Sequence, residues 1–168
     1  YYMRKFMGDF EESETYGNNY HLWVMYRYAE ILLNYAEALN EYEEKPSDEV
    51  YKVLRALRKR AGIEAGKDNK YGLEDNMSRD EMRLVIQNER RIEMAFEEQR
   101  YWDIRRWRLA EKIFEKPLQG MSIVSGAGSL SFERVDILSA KFDSRRYLYP
   151  IPYSEVIKNR NMVQNPKW

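Results

Sequence analysis

LWVMYRYAEILLNYAEALNEYEE, residues 22–44, reads as one long helix with more apolar surface than an outer helix needs. At 3.6 residues per turn, Leu22, Met25, Ala29, Leu32, Leu33, Ala36 and Leu39 share a face. Val24, Tyr28, Ile31, Tyr35, Ala38 and Tyr42 widen that face to well over half the circumference. Only Arg27, Glu30, Asn34, Glu37 and Glu41 form a polar strip. A helix this apolar is expected at the centre of a helical array, covered from two sides.

Working outward, Lys45-Pro46-Ser47 ends this helix, and Ser47 is the expected N-cap of a second helix over 48–61. Val50, Val53, Leu54, Leu57 and Ala61 form its single stripe, and Gly62 suits the left-handed position that follows a helix. Residues 24–61 therefore form a helical hairpin with alanines at the close-packing positions, a pattern that resembles a tetratricopeptide repeat. On the N-terminal side, residues 1–21 read as irregular, with a short strand at Tyr2–Met7 and a polar loop over 8–19.

Residues 62–77 form a loop, after which Ser78-Arg79-Asp80-Glu81 carries a capping-box pattern that starts a third helix. Its apolar stripe contains Met82, Val85, Ile86, Ile92 and Phe96, and Glu89, Glu93 and Arg100 fall in the middle of it. If the helix runs on unbroken, Asp103, Ile104 and Trp107 extend the stripe. An unpaired buried carboxylate costs several kcal/mol, so these charges require partners. The expected arrangement is an ion-pair network of Arg27, Glu89, Glu93, Arg100 and Asp103, with Arg58 and Arg106 also in reach. The competing reading of Glu89 and Glu93 is the acid/base pair of a glycosidase. They alternate with Met, Ile and Phe and lack a cleft signature, which favours the structural reading.

The remainder reads as loop over 111–131, short strands at 132–138 and 145–151, and a helical turn from Ser154. Pro150 and Pro152 exclude a central strand there. The class is mainly α, with tetratricopeptide-like hairpins, irregular C-terminal segments and a little β. Charge is balanced at 28 basic against 28 acidic residues, which gives no footprint for nucleic acid. With no cysteine, an isolated His21 and no phosphate-loop, nucleophile-elbow or zinc motif, no metal, cofactor or catalytic residue is expected. The start, YYMRKFMGDF, is neither a signal peptide nor an initiating methionine, so the chain is expected to be a piece of a longer protein.

Four segments, RYAEILLNYAEALNE (27–41), LRKRAG (57–62), NERRIEMAFEEQRYWDIRRW (88–107) and YLYPIPYSEVIKNRNMVQNPKW (147–168), resemble the SusD/RagB family and follow that family's order. The final segment is the most specific of them. The resemblance covers about 20–168 and departs from the common pattern at three places. Glu98 stands where Gly is common, Arg160 where Pro is common and Lys167 where Gly is common.

What the resemblance implies is a non-catalytic outer-membrane lipoprotein that binds glycans, or sometimes peptides, at the cell surface. It would act as the lid of a SusC-like TonB-dependent transporter. Residues 1–168 would be the C-terminal part, without the N-terminal half, and the only membrane attachment would be an N-terminal lipid anchor absent from this chain. No ligand contact is carried by the matched motifs. Aromatic rings in loops beside polar side chains suit the apolar face of a sugar, which singles out Tyr16, Tyr20 and Trp23 beside Asn18 and Asn19, and Tyr71. The alternative is a helical-hairpin module that binds a protein or peptide.

Overall fold

The computed structural model describes residues 5–6, 23–126 and 128–168, which form two compact units, Tyr1–Arg100 and Tyr101–Trp168. The strand expected at Tyr2–Met7 falls outside the described residues except at Lys5 and Phe6, which form a turn; the loop over 8–19 lies wholly outside them.

The first unit contains α1 (Tyr28–Tyr42), α2 (Asp48–Arg60) and α3 (Arg79–Glu93), and α1 packs against both of the others. Ala29, Leu33 and Ala36 of α1 meet Val50, Val53, Leu54 and Leu57 of α2 and Met82 and Ile86 of α3. Leu73 and Met77 bring the connecting loop into the same core. The class is thus mainly helical, built on a hairpin.

Two features of α1 differ from the sequence reading. It starts at Tyr28 rather than Leu22, because Arg27 is extended (φ −141°) and sends its guanidinium to the end of α3. The buried face is also turned. Ala29, Glu30, Leu33, Ala36 and Asn40 are buried, whereas Tyr28, Ile31, Tyr35 and Tyr42 are exposed. Both covering helices approach the alanine side, where small side chains allow close contact, and the polar strip finds partners on α3.

Helix α2 ends as read, with Gly62 at φ +80°. Its N-cap does not follow the expected pattern. Ser47 Oγ makes no hydrogen bond, and the Ser47 N–H donates to the Glu43 carboxylate at 3.1 Å. At α3 both halves of the capping box form: Ser78 Oγ accepts the Glu81 N–H at 3.3 Å, and the Glu81 carboxylate accepts the Ser78 N–H at 2.8 Å.

The third helix is not continuous. It breaks over 94–98, where Phe96 and Glu98 both take φ +63°, and resumes as α4 (Gln99–Arg106). At the break, Arg27 Nη2 and Lys5 Nζ donate to the Glu93 carbonyl at 2.5 and 2.9 Å, and Lys5 Nζ donates to the Ala95 carbonyl at 2.8 Å. Those carbonyls are satisfied by cations instead of by another helical turn. Ile92 and Phe96, expected in the buried stripe, are exposed.

In the second unit α5 (Ala110–Phe114) and β1 (Leu118–Gly126) replace the loop expected over 111–131. β1 pairs antiparallel with β2 (Ser129–Leu138), with Ile123 opposite Phe132 and Gly128 (φ +84°) in the turn. At Gly120 a Cβ would fall 2.1 Å from Ile137 Cδ1, so a side chain there would have to displace the exposed Ile137. The strand expected at 145–151 is instead a 3-10 turn over Ser144–Tyr147 followed by extended chain. The Asp143 side chain starts that turn by accepting the Arg145 N–H at 3.0 Å. The last helix is α6 (Tyr153–Lys158), which contains Ser154.

Candidate functional site

A seam of polar pairs joins α1 to α3. Residue 27, just before α1, and residues 34 and 41 on it are spaced seven apart and meet α3 and its end in antiparallel order. Arg27 binds Glu97 (2.6 Å) and Glu93, Asn34 Oδ1 accepts from Arg90 (2.6 Å), and Glu41 accepts twice from Arg83 (2.6 Å each). Asn40, fully buried, donates to the Arg79 carbonyl at 3.0 Å. Glu93 is bound again by Arg60 of α2 (2.5 Å), and Glu97 by Lys5.

Burial alone would push the Glu97 carboxyl up. Its hydrogen bonds with Arg27 and Lys5 outweigh burial and hold it below the ordinary glutamate range. The hydrogen bond from Arg83 does the same for Glu41.

The charged residues singled out by the stripe are distributed as follows. Glu89 accepts from Arg58 Nε at 2.8 Å, and Arg58 Nη1 also donates to the Tyr71 carbonyl at 2.8 Å. Arg27 and Glu93 lie together in the α1–α3 seam. Asp103, buried in α4, is bound by Arg106 three residues on (2.9 Å). Arg100 is half-buried at the start of α4. Lys5, Arg60 and Glu97 join the seam without a sequence signal, since their partners are remote in the chain.

Of the aromatic candidates, Tyr16 and Tyr20 lie outside the described residues, as do Asn18 and Asn19. Trp23 is 63% exposed and stacks on Phe6, with ring centroids 5.3 Å apart and planes 20° from parallel. Tyr26 and Tyr28, on either side of Arg27, are each 74% exposed; the sequence reading had placed Tyr28 on a covered face. Beside them a groove of about 360 Å³ opens between the start of α1 and the end of α2. Tyr28, Leu32 and Ala56 form its apolar wall, and Arg27 and Arg60 lie at its rim. Flat rings next to guanidinium groups can stack on an apolar ligand face and hydrogen-bond its edge. Tyr71 is half-buried with φ +55°, its carbonyl taken by Arg58.

Among the described residues no group of three or more His, Cys, Asp or Glu is placed to hold a metal ion. No helix among them is long and apolar enough to cross a membrane.

The SusD family model matches residues 1–168. SusD-like protein P2 of Formosa agariphila is 35% identical over 144 residues, which cover 85% of this chain and 25% of that protein. The crystal structure of a SusD-like protein from Bacteroides fragilis superposes with a TM-score of 0.70 at 31% identity, covering 87% of this chain and 26% of that one. A SusD homolog from Bacteroides thetaiotaomicron shares the fold, with a TM-score of 0.65 at 24% identity, covering 92% of this chain and 30% of that one. The chain spans about a quarter of the length of the curated relative it matches.

Proposed function

The chain belongs to the SusD family, and from that premise we propose that it serves a non-catalytic glycan-binding protein of the outer-membrane surface, which passes its ligand to a TonB-dependent transporter. The observation that carries this reading is the family match along all 168 residues. On this chain, Trp23 and Tyr71, with Tyr16 and Tyr20, are the proposed ligand contacts. The exposure of Trp23 and its stack on Phe6 support the place given to Trp23. The arginine-bound state of Glu89 and Glu93 supports a structural rather than catalytic use of both.

Affinity electrophoresis of the full-length protein against neutral and acidic polysaccharides tests the proposal. The expected result is retardation by at least one glycan, weakened in Trp23→Ala, with no release of new reducing ends. The second reading, a hairpin that binds a protein, draws on the exposed stripe of Tyr28, Ile31, Tyr35 and Tyr42. Mobility unchanged by every glycan would refute the first reading and leave the second.

A further inference from the structure

At the other end of the hairpin from Trp23, a polar cleft of about 600 Å³ lies between the first turns of α2 and the segment leading into α3. Such a volume falls within the range of small-ligand sites. Its walls are fixed by the fold. Tyr51 OH accepts the Met77 N–H at 3.1 Å, and Met77 and Leu73 are buried in the core. The capping box of Ser78 and Glu81 holds the rim on the α3 side.

The lining mixes signs. Lys45 and Arg55 bring donors, while Asp48 and Glu81 bring carboxylate acceptors. Asn76 offers both a donor and an acceptor. Tyr51 OH, having accepted from the backbone, keeps its own proton to donate, and its half-buried ring gives the cleft an aromatic wall. Carboxylates beside the two cations disfavour a phosphate or sulfate, and the cations disfavour a bare metal ion. Closely spaced groups that donate and accept in turn match the hydroxyls of a sugar, each of which does both.

We propose that this cleft is a second glycan subsite that takes an uncharged sugar unit, a reading that rests on the proposed glycan-binding function. Helix α1 has 15 residues, so the cleft and Trp23 lie roughly 20 Å apart along the hairpin. A separation of that size favours an oligosaccharide over a single ring.

Calorimetry of the full-length protein against tetrasaccharides of starch, xylan, β-glucan and mannan tests the idea through three substitutions that spare the fold. Asn76→Gly keeps the left-handed backbone (φ +53°), Asp48→Asn keeps the shape of the side chain, and Arg55→Gln shortens a half-buried one. Each is expected to weaken the bound tetrasaccharide about fivefold, the equivalent of one hydrogen bond, with the melting temperature unchanged in Asn76→Gly and Arg55→Gln and slightly lowered in Asp48→Asn, which removes a charge from the first turn of α2. Unchanged affinity in all three, alongside weakening in Trp23→Ala, overturns the cleft and leaves the family-level function standing. No binding of any tetrasaccharide by the unaltered protein overturns the cleft, and retardation of the same protein by neutral or acidic polysaccharides then decides separately whether the family-level function stands.

Discussion

Gln164 binds both backbone groups of Ile151. Its amide oxygen accepts the Ile151 N–H at 2.8 Å, and its amide nitrogen donates to the Ile151 carbonyl at 2.8 Å. Pro150 and Pro152 have no N–H, so between Tyr149 and Tyr153 only Ile151 can donate from the backbone. One side chain thus stands in for a neighbouring strand. Asn165 adds a bond to the Tyr149 carbonyl (2.6 Å), and Trp168 Nε1 bonds the carbonyls of Leu148 (3.1 Å) and Arg145 (3.2 Å). The terminal YLYPIP and QNP segments are therefore two halves of one clasp within the second unit.

Gln164→Ala should destabilise this unit by about 3 kcal/mol, the net worth of three neutral hydrogen bonds, the two with Ile151 and one from the Asn165 N–H at 2.9 Å. Gln164→Glu keeps the acceptor but sets a carboxylate against the Ile151 carbonyl. Protonation below its pKa of about 4.3 restores a donor, so this variant should recover towards the unaltered protein on acidification. Urea denaturation at neutral and acid pH reads both, and equal losses at the two pH values would contradict the clasp.

Glu89 and Arg58 are a largely buried pair, with side chains 13% and 14% exposed. Glu89→Ala leaves the guanidinium with the Tyr71 carbonyl but no counter-charge, and should cost about 3 kcal/mol. Arg58→Met combined with Glu89→Leu should regain most of that loss. A double variant as unstable as the sum of the two single variants would show no coupling between the two charges and contradict this account of the pair.

Acid should loosen the α1–α3 seam. The folded-state pKa values of Glu97 and Glu41 are depressed, Glu97 because Arg27 and Lys5 outweigh burial, Glu41 because of Arg83. Their contribution is therefore complete above the unfolded-state value and disappears as pH falls through the lower folded-state value. The urea midpoint should decline from about pH 5 downward. In Arg27→Gln, burial of Glu97 is less well opposed, so the decline should be shallower and the starting stability lower. An identical pH profile in that variant would rule out the Arg27–Glu97 linkage.

Glu98 adopts φ +63°, a backbone region that side chains with a Cβ enter at a cost of about 1 kcal/mol or more. Glu98→Gly should raise stability by up to about 1 kcal/mol, reduced by the greater freedom of glycine in the unfolded chain. Thermal denaturation is the measurement. A lower melting temperature would mean that the Glu98 side chain holds a partner worth more than the strain.

Local patterns determined much of this protein. The stripe of Val50, Val53, Leu54 and Leu57, Gly62 after α2, and the Ser78–Glu81 box depend on neighbours three or four residues away, so the sequence alone carries them. The four ordered motifs likewise carry family membership. Tertiary structure decided which face of α1 is buried. Hydrophobicity favoured Tyr28, Ile31 and Tyr35, but Ala29 and Ala36 let two helices approach, and Arg27, Asn34 and Glu41 meet partners on or just beyond α3. The break at 94–98 has the same origin, because Lys5 and Arg27, distant in the chain, satisfy the carbonyls that another turn would have used. The exposure of Tyr28 at the groove likewise follows from the start of α1 at Tyr28, which the sequence did not carry. Periodicity reports how much apolar surface a helix carries. The close approach of another backbone, and the charge that arrives with it, decide which part of that surface is covered.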